Sequence, residues 1–275
     1  MPYFSVPGED SYEMFYEEVP SSASVPTIYI HGNLGCNDWW YPVLSQMKEQ
    51  GCGRYTETSY LIEFRGCGRS EYQIPKGKLF PIEKIPHDVI AFANFKKLTS
   101  YNLVGHSTGG FISLLAGTKD DRIQNIAVID SVGTFGLSFN DELLKIYDQM
   151  KTDASLVEKV MRKTVKHKKQ ISEETWKGIC HYTQVSVGRL GSAIPRALAG
   201  VDFTPQFSSL LQPVLVIQGQ EDALIPLEVA ENLKNIIRKS QLRVLNNIGH
   251  SPNIEDPTTV AYILGEFFDL KKINT

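Results

Sequence analysis

Short apolar runs rich in β-branched residues recur along the chain at Thr27-Ile28-Tyr29-Ile30, Ser59-Tyr60-Leu61-Ile62, Asn102-Leu103-Val104, Ile126-Ala127-Val128-Ile129, Val214-Leu215-Val216-Ile217 and Leu242-Arg243-Val244-Leu245. Most show no polar alternation, the pattern of strands covered on both faces. Between most of them the apolar positions recur every three or four residues, as in Ile82, Ile85, Val89, Phe92 and Ala93, or Val229, Leu233, Ile236 and Ile237. That period places them on one side of a helix. Alternation of strand and helix predicts an α/β fold, a parallel sheet with helices on both faces. Two short runs within residues 1–18 flank Pro7-Gly8-Glu9-Asp10, the turn chemistry of an antiparallel hairpin.

The rhythm breaks once. From Leu137 to Val201 no strand pattern appears; amphipathic segments follow one another, for instance Leu143, Leu144, Ile146, Tyr147 and Met150, then Ile179, Tyr182 and Val185. These residues read as a helical insertion, which divides the chain into a sheet domain (1–136 and 202–275) and a helical unit (137–201). At one domain per roughly 150 residues, a chain of 275 would hold about 1.8. The division gives that fraction a meaning, one sheet domain and one insertion.

Charge and cysteine content narrow the function classes. Lys and Arg total 28 against 31 Asp and Glu, and the only basic run is Lys166-His167-Lys168-Lys169. A nucleic-acid surface needs a concentrated basic face, so none is expected. Cys36, Cys52, Cys67 and Cys180 form no C-x-x-C pair, so neither a zinc site nor a disulfide framework is indicated, and a reducing cytoplasm fits. No basic-then-apolar leader and no run of 18 apolar residues is present, so neither a signal peptide nor a membrane span is expected.

The strongest chemical signal is Gly105-His106-Ser107-Thr108-Gly109, directly after Asn102-Leu103-Val104 and directly before Phe111-Ile112-Ser113-Leu114-Leu115-Ala116. This is G-x-S-x-G between a strand and a helix. A sharp turn there would lift the Ser107 hydroxyl clear of the sheet, and glycines two positions either side avoid collision with neighbouring elements. The helix start puts the Thr108 backbone N–H beside the serine, where an oxyanion would form. Serine needs a base, and the base needs an orienting carboxylate. Gly219-Gln220-Glu221-Asp222 and Gly249-His250-Ser251-Pro252 each follow a strand, in the chain order Ser, Asp, His. Asp222 is preferred over its neighbour Glu221 and over Asp130, which ends an earlier strand. His250 is the only histidine in a strand-end loop in the required order.

The loop His31-Gly32-Asn33-Leu34-Gly35 follows the first parallel strand. Its glycine would let the backbone approach a substrate, with the N–H of Asn33 as second oxyanion donor and Leu34 as the alternative. Gly66-Cys67-Gly68 is only part of a dinucleotide fingerprint, because Glu71 stands where the third glycine belongs. No cofactor and no metal is expected.

Taken in order, H-G at 31–32, R-G-x-G-R-S at 65–70, G-H-S-T-G-G at 105–110, G-x-x-D at 219–222 and G-H-S-P at 249–252 resemble the α/β-hydrolase fold family over nearly the whole chain. The resemblance implies a mostly parallel eight-stranded sheet, an opening antiparallel pair and a helical cap inserted after the sixth strand, where residues 137–201 fall. Glu63 departs from the aspartate that many relatives carry before R-G-x-G-R-S. A serine at the elbow, where dehalogenases and epoxide hydrolases of this fold have aspartate, implies acyl transfer. The expected function is a carboxylic ester hydrolase acting on a small or medium apolar acyl substrate, with Ser107, Asp222 and His250 as triad. Leu34, Trp39, Phe135 and Tyr182 are the expected pocket residues, with Trp40 and Phe111 as further apolar neighbours. Two alternatives stay open: a carbon–carbon bond hydrolase or enol-lactonase of the same fold, and a ligand-sensing protein that binds a partner through its cap. A small-molecule substrate is the expected partner, and a homodimer stays open.

Overall fold

The computed structural model of the chain describes residues 2–19, 25–50, 58–167 and 171–269. Cys52, Lys168 and Lys169 lie outside them. The apolar runs become strands with small extensions: β1 (Tyr3–Val6), β2 (Tyr12–Val19), β3 (Thr27–Ile30), β4 (Ser59–Ile62), β5 (Tyr101–His106), β6 (Ile123–Ile129), β7 (Val214–Gly219) and β8 (Ser240–Leu245). They form one sheet in the order β1-β2-β4-β3-β5-β6-β7-β8. β1 pairs antiparallel with β2, and β2 with β4; the other neighbours are parallel.

Helices α1 (Tyr41–Gln50), α2 (Ile85–Phe95) and α3 (Thr108–Gly117) each connect two parallel strands. After β6 come α4 (Asp141–Gln149), α5 (Ala154–Thr164), α6 (Glu173–Leu190) and α7 (Ala193–Ala197), then the short α8 (Thr204–Ser208) before β7. α9 (Leu227–Ile236) joins β7 to β8, and α10 (Pro252–Glu255) and α11 (Pro257–Asp269) follow.

Strand side chains alternate between two cores, as the two-residue period requires. Ile28, Ile30, Leu103, Ile126, Val128, Val214 and Val216 pack with Val89 and Phe92 of α2, Phe111 of α3 and Leu233 of α9. Tyr29, Val104, Ala127, Ile129, Leu215 and Ile217 pack on the opposite face with Val43 and Met47 of α1 and Leu264 and Phe267 of α11. Covering both faces explains why these strands read as unbroken apolar runs.

Sheet order also locates the crevice. From β3 the chain crosses to β4 on one side, whereas from β5 it crosses to β6 on the other. The loops leaving the carboxyl ends of β3 and β5 therefore diverge, the arrangement at which open parallel sheets bind ligands. Helices α4 to α7 form between β6 and β7, within the stretch read as an insertion. Their starts are capped by Asn140, Asp153 and Ser172, whose side chains accept backbone N–H groups of the first turns of α4, α5 and α6. The two ends of this segment are joined, Leu137 N–H donating to Leu198 C=O (3.1 Å) and Phe203 N–H to Thr134 C=O (2.8 Å). No helix among the described residues is long and apolar enough to cross a membrane.

Candidate active site

Ser107 sits between β5 and α3 with φ 53° and ψ −118°, a backbone state that side chains other than glycine rarely adopt. The surroundings impose it. Ser107 N–H donates to Ile129 C=O at 2.9 Å, and its own carbonyl accepts from Gly110 at 3.0 Å. A Cβ on Gly105 would lie 2.2 Å from the Gly109 carbonyl oxygen, and one on Gly109 only 2.1 Å from that of Ile30. Both flanking positions thus touch backbone, which cannot move aside. Thr108 is the first residue of α3, so its N–H has no partner within the helix and points to the serine end.

His250 follows β8, and its Nδ1 lies 2.7 Å from Oδ2 of Asp222, which follows β7. The other oxygen of Asp222 accepts the N–H groups of Leu224 (2.7 Å) and Ile225 (3.0 Å). Because the carboxylate accepts, Nδ1 of His250 carries the proton and Nε2 is left with a lone pair. Of the three acids weighed from the sequence, Asp222 is the one in contact with His250. Glu221 turns outward and pairs with Lys166. Asp130 is fully buried and accepts Gly219 N–H at 2.7 Å; burial, reinforced by the Asp222 charge, holds its pKa well above the usual carboxylate range.

His106 points beneath the elbow, stacked on Trp39 at 5.6 Å, and its Nε2–H donates to the His250 carbonyl at 2.8 Å. Burial lowers its pKa to about 3, so it is neutral and serves as a fixed donor. His106, Asp130 and His250 bring ligand-type atoms within 4.8 Å of one another. One nitrogen of each imidazole is already taken, by the His250 carbonyl and by Asp222.

The loop after β3 folds tightly against the elbow. His31 Nδ1–H donates to Gly32 C=O at 2.8 Å, Gly35 N–H reaches the same carbonyl at 3.1 Å, and the His31 ring stacks on Phe64. A Cβ on Gly32 would meet His106 Nδ1 at 3.0 Å and Ser107 Cβ at 3.1 Å. Glu63 supports this loop from behind, accepting Asn37 N–H (2.9 Å) and the Arg69 guanidinium (2.6 Å). Its burial pushes its pKa up to about 7 against the pull of Arg69. Glu63 is thus a buried strut, a role its sequence context did not disclose.

Ser107, Thr108, His250 and Asn33 face one cavity with an empty volume of about 720 Å³, mouth included. Leu34 and Trp39 line it, together with Leu224 and Ile225. The helical segment forms the opposite wall through Phe139, Tyr147, Met150, Met161, Ile194 and Leu198. No Lys, Arg, Asp or Glu lines the cavity among the described residues.

Two expected pocket residues lie elsewhere. Phe135 is 61% exposed and borders a separate groove beside Val229, because the bridge between Gly133 and Gly136 turns it outward. Tyr182 stacks on the Arg69 guanidinium at 4.0 Å. The face of α6 that carries it packs on the 65–70 turn instead of the cavity, with Ser186 Oγ accepting Gly68 N–H at 2.8 Å and Arg189 donating to Gly68 C=O at 2.9 Å. Of the further apolar neighbours, Trp40 packs in the core beneath the sheet against Tyr29, and Phe111 packs against Phe203 and Phe207. The residues that do form the far wall were legible only as apolar positions of amphipathic helices.

Comparison with known proteins agrees with this architecture. The family model for the alpha/beta hydrolase fold matches residues 26–257. A 2-hydroxymuconate semialdehyde hydrolase from Pseudomonas sp. is 24% identical over 263 residues, covering 90% of this chain and 88% of its own. Among solved structures, an esterase from Rhodococcus sp. superposes with a TM-score of 0.79 at 18% identity, over 97% of this chain and 98% of that one. An enol-lactonase from Burkholderia xenovorans gives 0.78 at 18% identity, over 97% and 99%. With the sheet order and the matched family model in agreement, the chain belongs to the alpha/beta hydrolase family and is a hydrolase of that type.

Proposed function

We propose that the protein is a serine carboxylic ester hydrolase with Ser107 as nucleophile, His250 as base and Asp222 as orienting acid. The observation that carries this reading is the convergence of the Ser107 elbow and the His250–Asp222 pair on one uncharged, largely apolar cavity. His250 Nε2 takes the Ser107 proton as Oγ attacks the acyl carbon. The N–H groups of Thr108 and Asn33 hold the oxyanion, each such donor contributing roughly 3–4 kcal/mol to the transition state. His250 then protonates the departing alkoxide, and a water activated by the same nitrogen releases the acid. No redox or metal step enters this sequence of proton transfers. Residues 137–201 act as a cap over the sheet domain formed by 1–136 and 202–275.

The lining also supports an uncharged substrate of small or medium size. A carboxylate placed against it would be desolvated with no Lys or Arg of the described residues in the lining to pair, at a cost of several kcal/mol. That disfavours an acidic substrate such as a muconate derivative, which the Pseudomonas relative's name specifies. Carbon–carbon cleavage and enol-lactone hydrolysis are the second reading, favoured by that relative and by the enol-lactonase neighbour. The free, buried thiols of Cys36 and Cys67 are in keeping with a reducing cytoplasm.

A fluorophosphonate probe followed by a series of p-nitrophenyl esters tests the proposal. Labelling at Ser107, lost in Ser107→Ala together with ester turnover, is expected. Full ester activity in Ser107→Ala would overturn it. Turnover of a vinylogous diketone or an enol-lactone without ester turnover would transfer the chain to the second reading.

A further inference from the structure

We infer that Glu255 is a positioning residue for His250, and that it ties the placement of that imidazole to the seating of the helical segment between β6 and β7. The inference rests on the proposed role of His250 as base. Glu255 ends α10 and is 4% exposed. Its Oε1 accepts the N–H of Ser251 and its Oε2 that of Gly249, both at 3.2 Å. These are the backbone N–H groups of the two residues that flank His250. A third N–H reaches the same carboxylate: His167, just past the end of α5, donates to Oε2 at 3.2 Å.

The link is reinforced around this carboxylate. Ser251 Oγ donates to the carbonyl of Thr164, the last residue of α5, at 2.8 Å. His167 Nε2–H donates to Asn247 C=O at 3.1 Å, and Lys166 Nζ donates to Asn247 Oδ1 at 3.2 Å while pairing with Glu221. A Cβ on Gly249 would lie 2.9 Å from Glu255 Oε1 and 3.2 Å from Lys166 Cβ, so the loop has no slack on this side. Lys166 is engaged by Glu221, so the contacts found for Glu255 are backbone N–H groups. Removing it would leave three peptide donors to be satisfied anew, two of them next to His250.

One end of this link borders the cavity. Thr164 and Met161, one turn apart on α5, line the cavity that holds Ser107. A ligand that displaces the end of α5 therefore pulls on the His167 and Thr164 contacts, and through Glu255 and Ser251 on the loop carrying His250. Filling of the cavity and alignment of the base are mechanically joined at this point.

The test compares wild type with Glu255→Gln, Ser251→Ala and the double variant. Each is measured for kcat and KM on a short p-nitrophenyl ester across pH, for the His250 tautomer by ¹⁵N-histidine NMR, and for thermal midpoint. Glu255→Gln keeps the size of the side chain but offers one acceptor oxygen instead of two. It is expected to lower kcat about 10- to 100-fold with KM little changed, as a misplaced catalytic group does. It is also expected to shift the acid limb of the pH profile and alter the His250 imidazole signal. Ser251→Ala should act in the same direction more weakly, and the two should be non-additive because they hold one loop. A folded Glu255→Gln with wild-type kcat, pH profile and imidazole signal would overturn the inference, and strict additivity would overturn the joint link to the helical segment. Wild-type protein whose Ser107 resists the fluorophosphonate would sink the proposed function itself, an outcome separate from either.

Discussion

His250 Nδ1 and Asp222 Oδ2 stand 2.7 Å apart, and the Asp222 side chain has no exposed surface. The backbone N–H groups of Leu224 and Ile225 already claim its second oxygen. In Asp222→Asn those donors would keep the amide oxygen and turn the NH₂ group toward His250. Nδ1 would then have to accept, and Nε2 would carry the proton and lose its basicity. A kcat loss of about 10⁴-fold with an unchanged circular dichroism spectrum is expected. Retention of activity within tenfold would move the acid role to Asp130.

Asp130 itself yields a prediction in pH. Its folded-state pKa is raised by burial, with the Asp222 charge adding to the effect. The native state therefore holds this proton at pH values where the unfolded chain has released it, and the native state loses ground as pH rises above about 4. Asp130→Asn preserves the acceptor for Gly219 N–H and abolishes the titration. Its stability relative to wild type should be higher at pH 8 than at pH 5, read from urea midpoints. An equal difference at both pH values would contradict this.

The glycines of the molecule separate into obligatory and replaceable positions. Gly109→Ala would drive a methyl group to 2.1 Å from the Ile30 carbonyl and push α3 off β3. A loss of about 3 kcal/mol or more is expected in chemical denaturation. A Cβ at Gly188, inside α6, meets nothing within 4 Å. Gly188→Ala should stabilise by roughly 0.5–1 kcal/mol. Similar effects at the two sites would refute the steric account of the elbow.

Acyl preference follows the far wall of the cavity. Met161→Ala removes side-chain volume opposite Ser107 and should shift the preferred p-nitrophenyl ester to a longer chain. Each added methylene buried there is worth about 0.8 kcal/mol, or roughly fourfold in kcat/KM. Tyr182→Phe lies outside the lining and should leave the chain-length profile where it is. A profile that moved with Tyr182 and not with Met161 would mean that the acyl group binds elsewhere.

Most of the frame was legible in the residues. β3 and β4 coincide with the apolar runs read from the sequence, because strands buried on both faces admit no polar interruption. The elbow was legible for a related reason: a Cβ on either glycine would come within 2.1–2.2 Å of backbone oxygens, a constraint that leaves no choice of residue. The cavity wall was not. Which side of α4 to α7 meets Ser107 depends on how those helices seat, and amphipathic spacing is the same for either side. Tyr182 illustrates it: α6, which carries it, meets Arg69, and the lining comes from the segments on either side of that helix. Glu255 had no distinguishing signal either, since its value lies in three backbone donors that only the folded chain brings together.

The place of β8 at the rim of the sheet has a bearing on how activity is lost. β8 pairs with β7 alone, and its outward residues Arg243 and Val244 are exposed, whereas the strand leading to Ser107 is held between β3 and β6. Local opening of an edge strand generally needs less free energy than global unfolding, and here it would withdraw His250 while the elbow stays folded. Detachment of this one edge is thus expected to give an inactive state in which nearly all of the structure survives. Inactivation on warming should precede melting of the sheet and reverse on cooling.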